Sequence, residues 1–244
     1  MAYDSASLDK PLEALKAFDW GGDAAPLQAI DAAVIAVHAD PAARANLEKR
    51  LAGLLGAGTS QPVTEYVCRK LSMIGTAASV PTLAALLPEK DHSHMARFAL
   101  ERIAAPEAAA ALRQALAAVQ GDLKIGMISS LAGRGDAACV PMLAGLLAGE
   151  SRTAVAAADA LGRIHTPEAV QVLAAATSIG DKPAAAAIVN ARLACAESLL
   201  RQGKRPEALS VYNSIAAGSE PTASFTRLAA ERGILACLDT TTSS

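Results

Sequence analysis

Apolar residues recur every three or four positions along most of this chain, which predicts amphipathic helices. The helical pattern itself repeats, because similar stretches begin 29, 31 and 30 residues apart. These stretches read AASVPTLAALL at 77–87, PEAAAALRQAL at 106–116, AACVPMLAGLL at 137–147 and PEAVQVLAAAT at 167–177. In the helix before each stretch, the same register places a leucine: Leu71, Leu100, Leu131 and Leu161. A fixed interval of this length indicates a stacked array with one helical hairpin in each repeat.

Helix start signals divide the array into about five hairpins. Asp40-Pro41 is one such signal, with the acid before the helix and the proline at its first position. The predicted hairpins cover residues 24–38 with 41–56, then 61–88, 93–119, 122–148 and 151–177. No single hairpin can bury its apolar side alone, so each needs its neighbour. The expected fold class is all-α, a right-handed α-α superhelix.

Both ends of the chain depart from the repeat pattern. Residues 1–22 predict an N-terminal cap with a short helix near 10–18, in which Phe18 and Trp20 cover the open end of the first repeat. The alternative is that these aromatics form a patch that docks a partner. Residues 183–202 predict a longer helix, residues 221–238 a final capping helix, and residues 240–244 a frayed end. The predicted division is therefore 1–22, 23–180 and 181–244, packed as one continuous solenoid.

The middle of the chain resembles the HEAT repeat, in the short form of the phycobilin-lyase-like group. The family pattern, roughly A-L-G-x-I-G followed by P-E-A-V-x-x-L, is similar to residues 160–164 and 167–173, and residues 79–83 and 139–143 carry its V-P-x-L variant. The resemblance covers about residues 24–178 and implies a HEAT/armadillo-like solenoid.

A second resemblance lies near the C-terminus. About residues 188–218 resemble a tetratricopeptide-type hairpin, in which a glycine, a small residue and an aromatic match Gly203, Ala208 and Tyr212. Pro221 corresponds to the proline that follows the second helix, whereas Arg192 stands where that family has a large aromatic.

Composition narrows the function classes. Hydrophobic residues make up 52% of the chain and aromatics 3%, and the net charge is −2 with acids and bases interspersed. A nucleic-acid-binding stripe would be clearly basic, so nucleic acid is not an expected partner. No apolar run is long enough to span a membrane, and the first residues lack a signal-peptide pattern. We expect a cytoplasmic protein, or a periplasmic or secreted one if a signal peptide was removed.

The chemistry-bearing residues do not form a recognisable catalytic or metal-binding pattern. The four cysteines are far apart and predict small buried thiols: Cys68, Cys139, Cys195 and Cys237. Asp91, His92 and His94 are conceivable metal ligands, but a helix-start loop capped by Asp91 or Ser93 explains the same segment. Arg134-Gly135-Asp136 falls in a turn between helices. The sequence therefore predicts no catalytic residue, no metal and no cofactor.

These observations predict a non-catalytic scaffold that binds another protein. In a HEAT array the second helix of each hairpin is expected to line the concave face. The predicted contact residues are Arg50, Thr82, Gln114, Met142 and Gln171. Two alternatives stay open: self-assembly with another copy of the chain, and the lyase-like tetrapyrrole binding that the family resemblance implies.

Overall fold

The computed structural model describes residues 4–56, 58–176, 180–218 and 224–239. Across these ranges the chain forms fourteen α-helices and no β-strand. It divides into two compact units, Met1–Ser130 and Leu131–Ser244. The predicted all-α class of paired helices is confirmed. The predicted boundaries after residues 22 and 180 follow repeat type rather than compactness, and they stay predictions.

The first unit begins with a cap and continues with helical hairpins. Its helices are α1 (Asp9–Leu15), α2 (Ala25–Ala36), α3 (Pro41–Ala52), α4 (Gln61–Ile74), α5 (Val80–Ala85), α6 (Ser93–Arg102) and α7 (Pro106–Ala118). Helix α8 (Gly121–Arg134) contains the division between the units. First helices pack on first helices, α2 on α4 and α4 on α6, while the second helices α5 and α7 pack on each other. This is the stacking expected of a repeat array.

The second unit follows the same plan and ends with longer helices. They are α9 (Val140–Leu146), α10 (Ser151–Ile164), α11 (Pro167–Ala175), α12 (Lys182–Arg201), α13 (Arg205–Ala216) and α14 (Ser224–Leu238). Helices α10, α12 and α14 contact one another in succession, and α9 contacts α11. The helices expected for the five predicted hairpins are present in chain order as α2 and α3, α4 and α5, α6 and α7, α8 and α9, and α10 and α11, within a few residues of their expected ends.

The repeated leucines form the core of each unit. Leu71 and Leu100 in the first unit, and Leu131 and Leu161 in the second, are all fully buried. Each buried leucine contributes roughly 1.5–3 kcal/mol relative to an exposed one. Cysteines share this apolar environment, since all four are buried and none forms a disulfide.

Side-chain caps start several helices where the sequence has a short acid or a threonine. Asp40 accepts hydrogen bonds from the backbone N–H groups of Ala42 and Ala43, both at 3.0 Å, as predicted for the start of α3. Asp181 caps α12 and Thr166 caps α11 in the same way. Such caps satisfy N–H groups that have no partner within the helix.

The prediction that Asp91 or Ser93 caps α6 is wrong. The helix begins at Ser93, and His92, the residue before it, forms no side-chain cap. Ser93 lies inside its first turn with a buried hydroxyl that has no partner among the described residues. The backbone enters the helix through a turn instead, in which the Ser93 N–H donates to the Glu89 carbonyl at 2.7 Å.

The N-terminal cap is built from leucines, so the prediction that Trp20 covers the first repeat is wrong. Leu8, Leu12 and Leu15 are buried, whereas Trp20 is 60% exposed and Phe18 is half-buried. The three leucines follow helical spacing on α1 and its preceding turn, and so face one side together. Trp20 lies beyond the end of that helix, next to a glycine with positive φ at Gly21.

The C-terminal hairpin α12–α13 carries the three tetratricopeptide-like residues in its turn and on its second helix. Gly203 has a φ of 75° in the turn, and Ala208 and Tyr212 are buried on α13. The Tyr212 ring lies directly on Gly233 of α14, where no side chain intervenes. The predicted roles of Pro221 and of residues 240–244 fall outside the described residues.

Candidate functional site

The five predicted contact residues all lie on second helices, as expected. Arg50, Thr82 and Gln114 belong to the first unit, and Met142 and Gln171 to the second. Gln114 and Gln171 are exposed, and the other three are half-buried. The sequence therefore placed them correctly on the repeat, and their role toward a partner stays a prediction.

Arg50 has an intramolecular role that the sequence did not indicate. Its guanidinium donates to the carbonyl oxygen of Ser5 and lies 2.5 Å from the carboxylate of Asp9. The Ser5 hydroxyl donates in turn to Asn46 at 2.9 Å. Residues of α3 thus hold the N-terminal cap in place.

The first helices α4 and α6 carry a cluster of two arginines, a phenylalanine and a methionine, which are residue types enriched in protein interfaces. We call it the arginine–phenylalanine patch; it consists of Arg69 and Met73 on α4 and Phe98 and Arg102 on α6. The guanidinium carbon of Arg102 lies 3.7 Å from the Phe98 ring centroid, and that of Arg69 lies 5.6 Å from it. Met73 is 62% exposed beside them. Arg69 and Phe98 occupy equivalent repeat positions, as do Met73 and Arg102, each pair 29 residues apart.

Hydrogen bonds within each helix fix the two arginines of the patch. Arg69 donates from Nε and Nη2 to one carboxylate oxygen of Glu65, at 3.1 and 2.8 Å. Arg102 donates from Nη1 to the backbone carbonyl of Phe98 at 2.9 Å. Cation–π contacts of this kind contribute about 0.5–1 kcal/mol at exposed sites. These contacts therefore favour the conformation in which both arginines lie near the Phe98 ring.

A half-buried polar network joins α6 to α8. Arg97 donates to the Gly126 carbonyl at 3.1 Å and to the Ser130 hydroxyl at 3.2 Å, and that hydroxyl donates to Glu101 at 2.7 Å. Burial lowers the pKa of Arg97, and the charge of Glu101 partly opposes this. Gly126 makes room for the guanidinium, because a Cβ there would lie 2.7 Å from its central carbon.

A second network joins α2 to α4. The Tyr66 hydroxyl donates to Asp31 at 2.7 Å, and Lys70 lies 2.6 Å from the same carboxylate and 4.7 Å from the Tyr66 ring centroid. Burial and the bond to Asp31 raise the pKa of Tyr66. Since that hydroxyl stays protonated, the network is a structural link between neighbouring hairpins.

Glu48 on α3 is a buried acid that the sequence reasoning missed. Its carboxylate is 2% exposed and accepts from the Thr76 N–H and the Ser79 hydroxyl, both at 2.6 Å. One turn earlier, Arg44 donates to the Ile74 carbonyl at 2.7 Å. Arg44 and Glu48 therefore form hydrogen bonds to the two ends of the turn between α4 and α5.

A signal for Glu48 was present in the repeat register. The positions equivalent to Glu48 are apolar in the other hairpins: Val80, Ala109, Val140 and Val170. A lone acid in an otherwise apolar column indicates either chemistry or a buried structural bond. Here its partners are backbone and hydroxyl groups of the adjoining turn, which indicates the structural bond.

The described ranges offer neither a metal centre nor a membrane-spanning helix. No group of three or more histidines, cysteines and acids is placed there to hold a metal ion. None of the helices in those ranges combines the length and apolar character that a membrane-spanning helix needs.

Comparison with known proteins bears on the repeat itself. Residues 154–178 match the family described as PBS lyase HEAT-like repeat. This stretch is a HEAT-like repeat. It covers most of α10 and all of α11, including residues 160–164 and 167–173, and so confirms the HEAT resemblance over these two helices. No comparison tests the tetratricopeptide-like one, which stays a prediction.

Two solved structures align with most of the chain. An engineered protein of the Northeast Structural Genomics Consortium aligns over 95% of this chain and 68% of its own, at 18% identity and a TM-score of 0.45. Human deoxyhypusine hydroxylase in complex with glycerol aligns over 96% of both chains, at 16% identity and a TM-score of 0.36. Among curated proteins, none matches the chain significantly.

Proposed function

We propose that this chain is a non-catalytic, HEAT-like repeat module that holds a partner protein through the arginine–phenylalanine patch. The observation that carries the proposal is the Arg69–Phe98–Arg102 stack, with exposed Met73 beside it. Aromatic residues, methionine and arginine are the side chains enriched in protein interfaces, and arginine and aromatics dominate their binding energy.

The fixed geometry of the patch favours binding. Ordering a long side chain at an interface costs about 0.5–1.5 kcal/mol. Arg69 already bonds Glu65 and Arg102 already bonds the Phe98 carbonyl, and these contacts reduce the cost of ordering both side chains against a partner. The second-helix row is the competing face, with Thr82 and Gln114 as its members in the same unit.

Affinity capture from the native host, with bound proteins identified by mass spectrometry, tests the proposal. The tagged chain is compared with Met73→Glu and Arg102→Glu variants, each placing an acid in the patch at an exposed or half-exposed position. We expect a stoichiometric partner that each variant binds at least about tenfold more weakly. Lys90→Glu is the matched control, since it makes the same charge change as Arg102→Glu at an exposed loop position.

Other outcomes redirect or overturn the proposal. Loss of the partner from a Thr82→Glu, Gln114→Glu variant, with full binding by the patch variants, would move the site to the second-helix face. A chain that captures no protein, but gains a visible absorbance band on incubation with a bilin, would replace protein binding by tetrapyrrole binding. Circular dichroism of every variant excludes unfolding as the cause.

A further inference from the structure

Helix α14 is apolar on two opposite sides. One side carries Ala230, Gly233 and Cys237, which are buried where the helix packs on α12 and α13. The opposite side exposes four large apolar residues: Phe225 at 80%, Leu228 at 45%, Leu235 at 67% and Leu238 at 60%. A surface helix normally presents polar residues to water, so this second apolar side requires its own explanation.

The exposed residues follow the spacing of helices that pair with one another. Leu228 and Leu235 are seven residues apart, so they lie in line along one face. Phe225 and Arg232 fall on one flank of that line, three residues before Leu228 and Leu235 respectively. Glu231 and Leu238 fall on the other flank. The face therefore has an apolar centre with an acid on one flank and a base on the other.

The positions of Glu231 and Arg232 make this face complementary in charge to a second, parallel copy of itself. In a parallel two-fold pair, opposite flanks of the two copies face each other, so Glu231 of one copy meets Arg232 of the other. In an antiparallel two-fold pair, identical flanks meet, and Glu231 would face Glu231. Opposite charges are attractive and like charges repel across an interface. Arg227 holds Glu231 on its flank through an ion pair of 3.1 Å.

We propose that α14 packs against α14 of a second copy of this chain in a parallel, two-fold pair. Leu228 meets Leu228 and Leu235 meets Leu235 on the axis, and two Glu231–Arg232 ion pairs flank them. This contact is independent of the proposed function, because the arginine–phenylalanine patch belongs to the other unit. Four side chains make a small interface, so the dimer is weak and its population depends on concentration.

Cysteine cross-linking tests the direction of the pair. The four native cysteines are buried, so a Leu228→Cys or Leu235→Cys variant of the full chain adds one exposed thiol. We expect each variant to form a disulfide-linked dimer with itself under mild oxidation. A mixture of the two, distinguished by a size tag, should form few mixed dimers. Mixed dimers as the main product would establish the antiparallel pair and overturn the proposal.

A matched control and a charge exchange complete the test. Ser210→Cys adds an exposed thiol on α13, away from α14, and should cross-link only at the random-collision rate. Sedimentation equilibrium should show a monomer–dimer equilibrium for the wild-type chain that Arg232→Glu weakens at least about tenfold. The double variant Glu231→Arg, Arg232→Glu should restore it. A wild-type chain that stays monomeric at the highest concentration, or cross-linking no faster than Ser210→Cys, would overturn the proposal.

Discussion

Single residues decide how closely neighbouring helices approach in this protein, and Gly233 is the sharpest case. A Cβ at this position would lie 2.3 Å from the Tyr212 ring, which is itself buried. We expect Gly233→Ala to lower the free energy of unfolding by about 1–3 kcal/mol, because the ring has to move. Urea denaturation followed by circular dichroism measures this change.

Gly145 provides the matched control for that prediction. It lies inside α9, in the same unit, and no atom lies within 4 Å of the Cβ that alanine would add. Gly145→Ala should raise the free energy of unfolding by about 0.5–1 kcal/mol, since alanine favours helix. Equal destabilisation by both substitutions would contradict the importance of the Tyr212 contact.

At the residue scale, the sequence predicted which side chains are buried better than it predicted which hydrogen bonds they form. The repeat register identified Leu71 and Leu100 as core residues, because helical spacing decides which side chains face inward. It could not foresee that Ser93 is buried or that Trp20 is exposed, since both depend on how a turn directs the chain. The register does show Glu48 as a lone acid in an apolar column, but it could not show its bonding partners, Thr76 and Ser79, which lie 28 and 31 residues further along the chain.

At the scale of the element, buried hydrogen bonds join a helix of one hairpin to the hairpin that follows it. Glu48 on α3 bonds the turn after α4, so its removal leaves the Thr76 N–H and the Ser79 hydroxyl without an acceptor. We expect Glu48→Ala to destabilise the first unit by about 1–3 kcal/mol. Hydrogen exchange at the Thr76 amide should accelerate at the same time. Unchanged exchange there would show that the bond contributes little.

The start of α10 depends on pH through an acidic cap. Glu150 accepts hydrogen bonds from the Thr153 hydroxyl and from the N–H groups of Arg152 and Thr153. These bonds lower the pKa of Glu150, the Thr153 hydroxyl most strongly. A carboxyl whose pKa is lower in the folded state stabilises above its unfolded pKa, about 4.3, and loses this effect as the pH falls through the folded value.

Comparison of Glu150→Gln with the wild-type chain tests the cap. The variant should unfold at a lower temperature near neutral pH, because the charged acceptor is lost. The difference should shrink as the pH falls through the lowered pKa of Glu150, since the carboxyl is then protonated in the wild-type chain as well. A difference that is constant across this range would show that the charge of Glu150 does not stabilise α10.

At the scale of the whole molecule, the interval of 29–31 residues was sufficient to predict the fold. Each hairpin repeats the same local pattern, so errors at single turns did not accumulate. The choice of binding face was not predictable in this way. The Arg69–Phe98–Arg102 stack crosses two repeats, and neither α4 nor α6 shows it alone.

The two proposed surfaces belong to different units and should respond separately. Arg102→Glu is expected to lose the partner protein and keep the dimer, whereas Arg232→Glu should lose the dimer and keep the partner. Capture and sedimentation measured on both variants therefore separate failure of one proposal from failure of the other.

The four buried cysteines give the chain native reporters of its own opening. Burial raises the pKa of Cys68 to about 12 and that of Cys195 to about 11, so both thiols stay protonated and shielded while the helices are packed. A thiol in this state reacts with an alkylating reagent only when its helix separates from its neighbours. Labelling at Cys68 therefore follows breathing of the first unit, and labelling at Cys195 that of the second, with no substitution made.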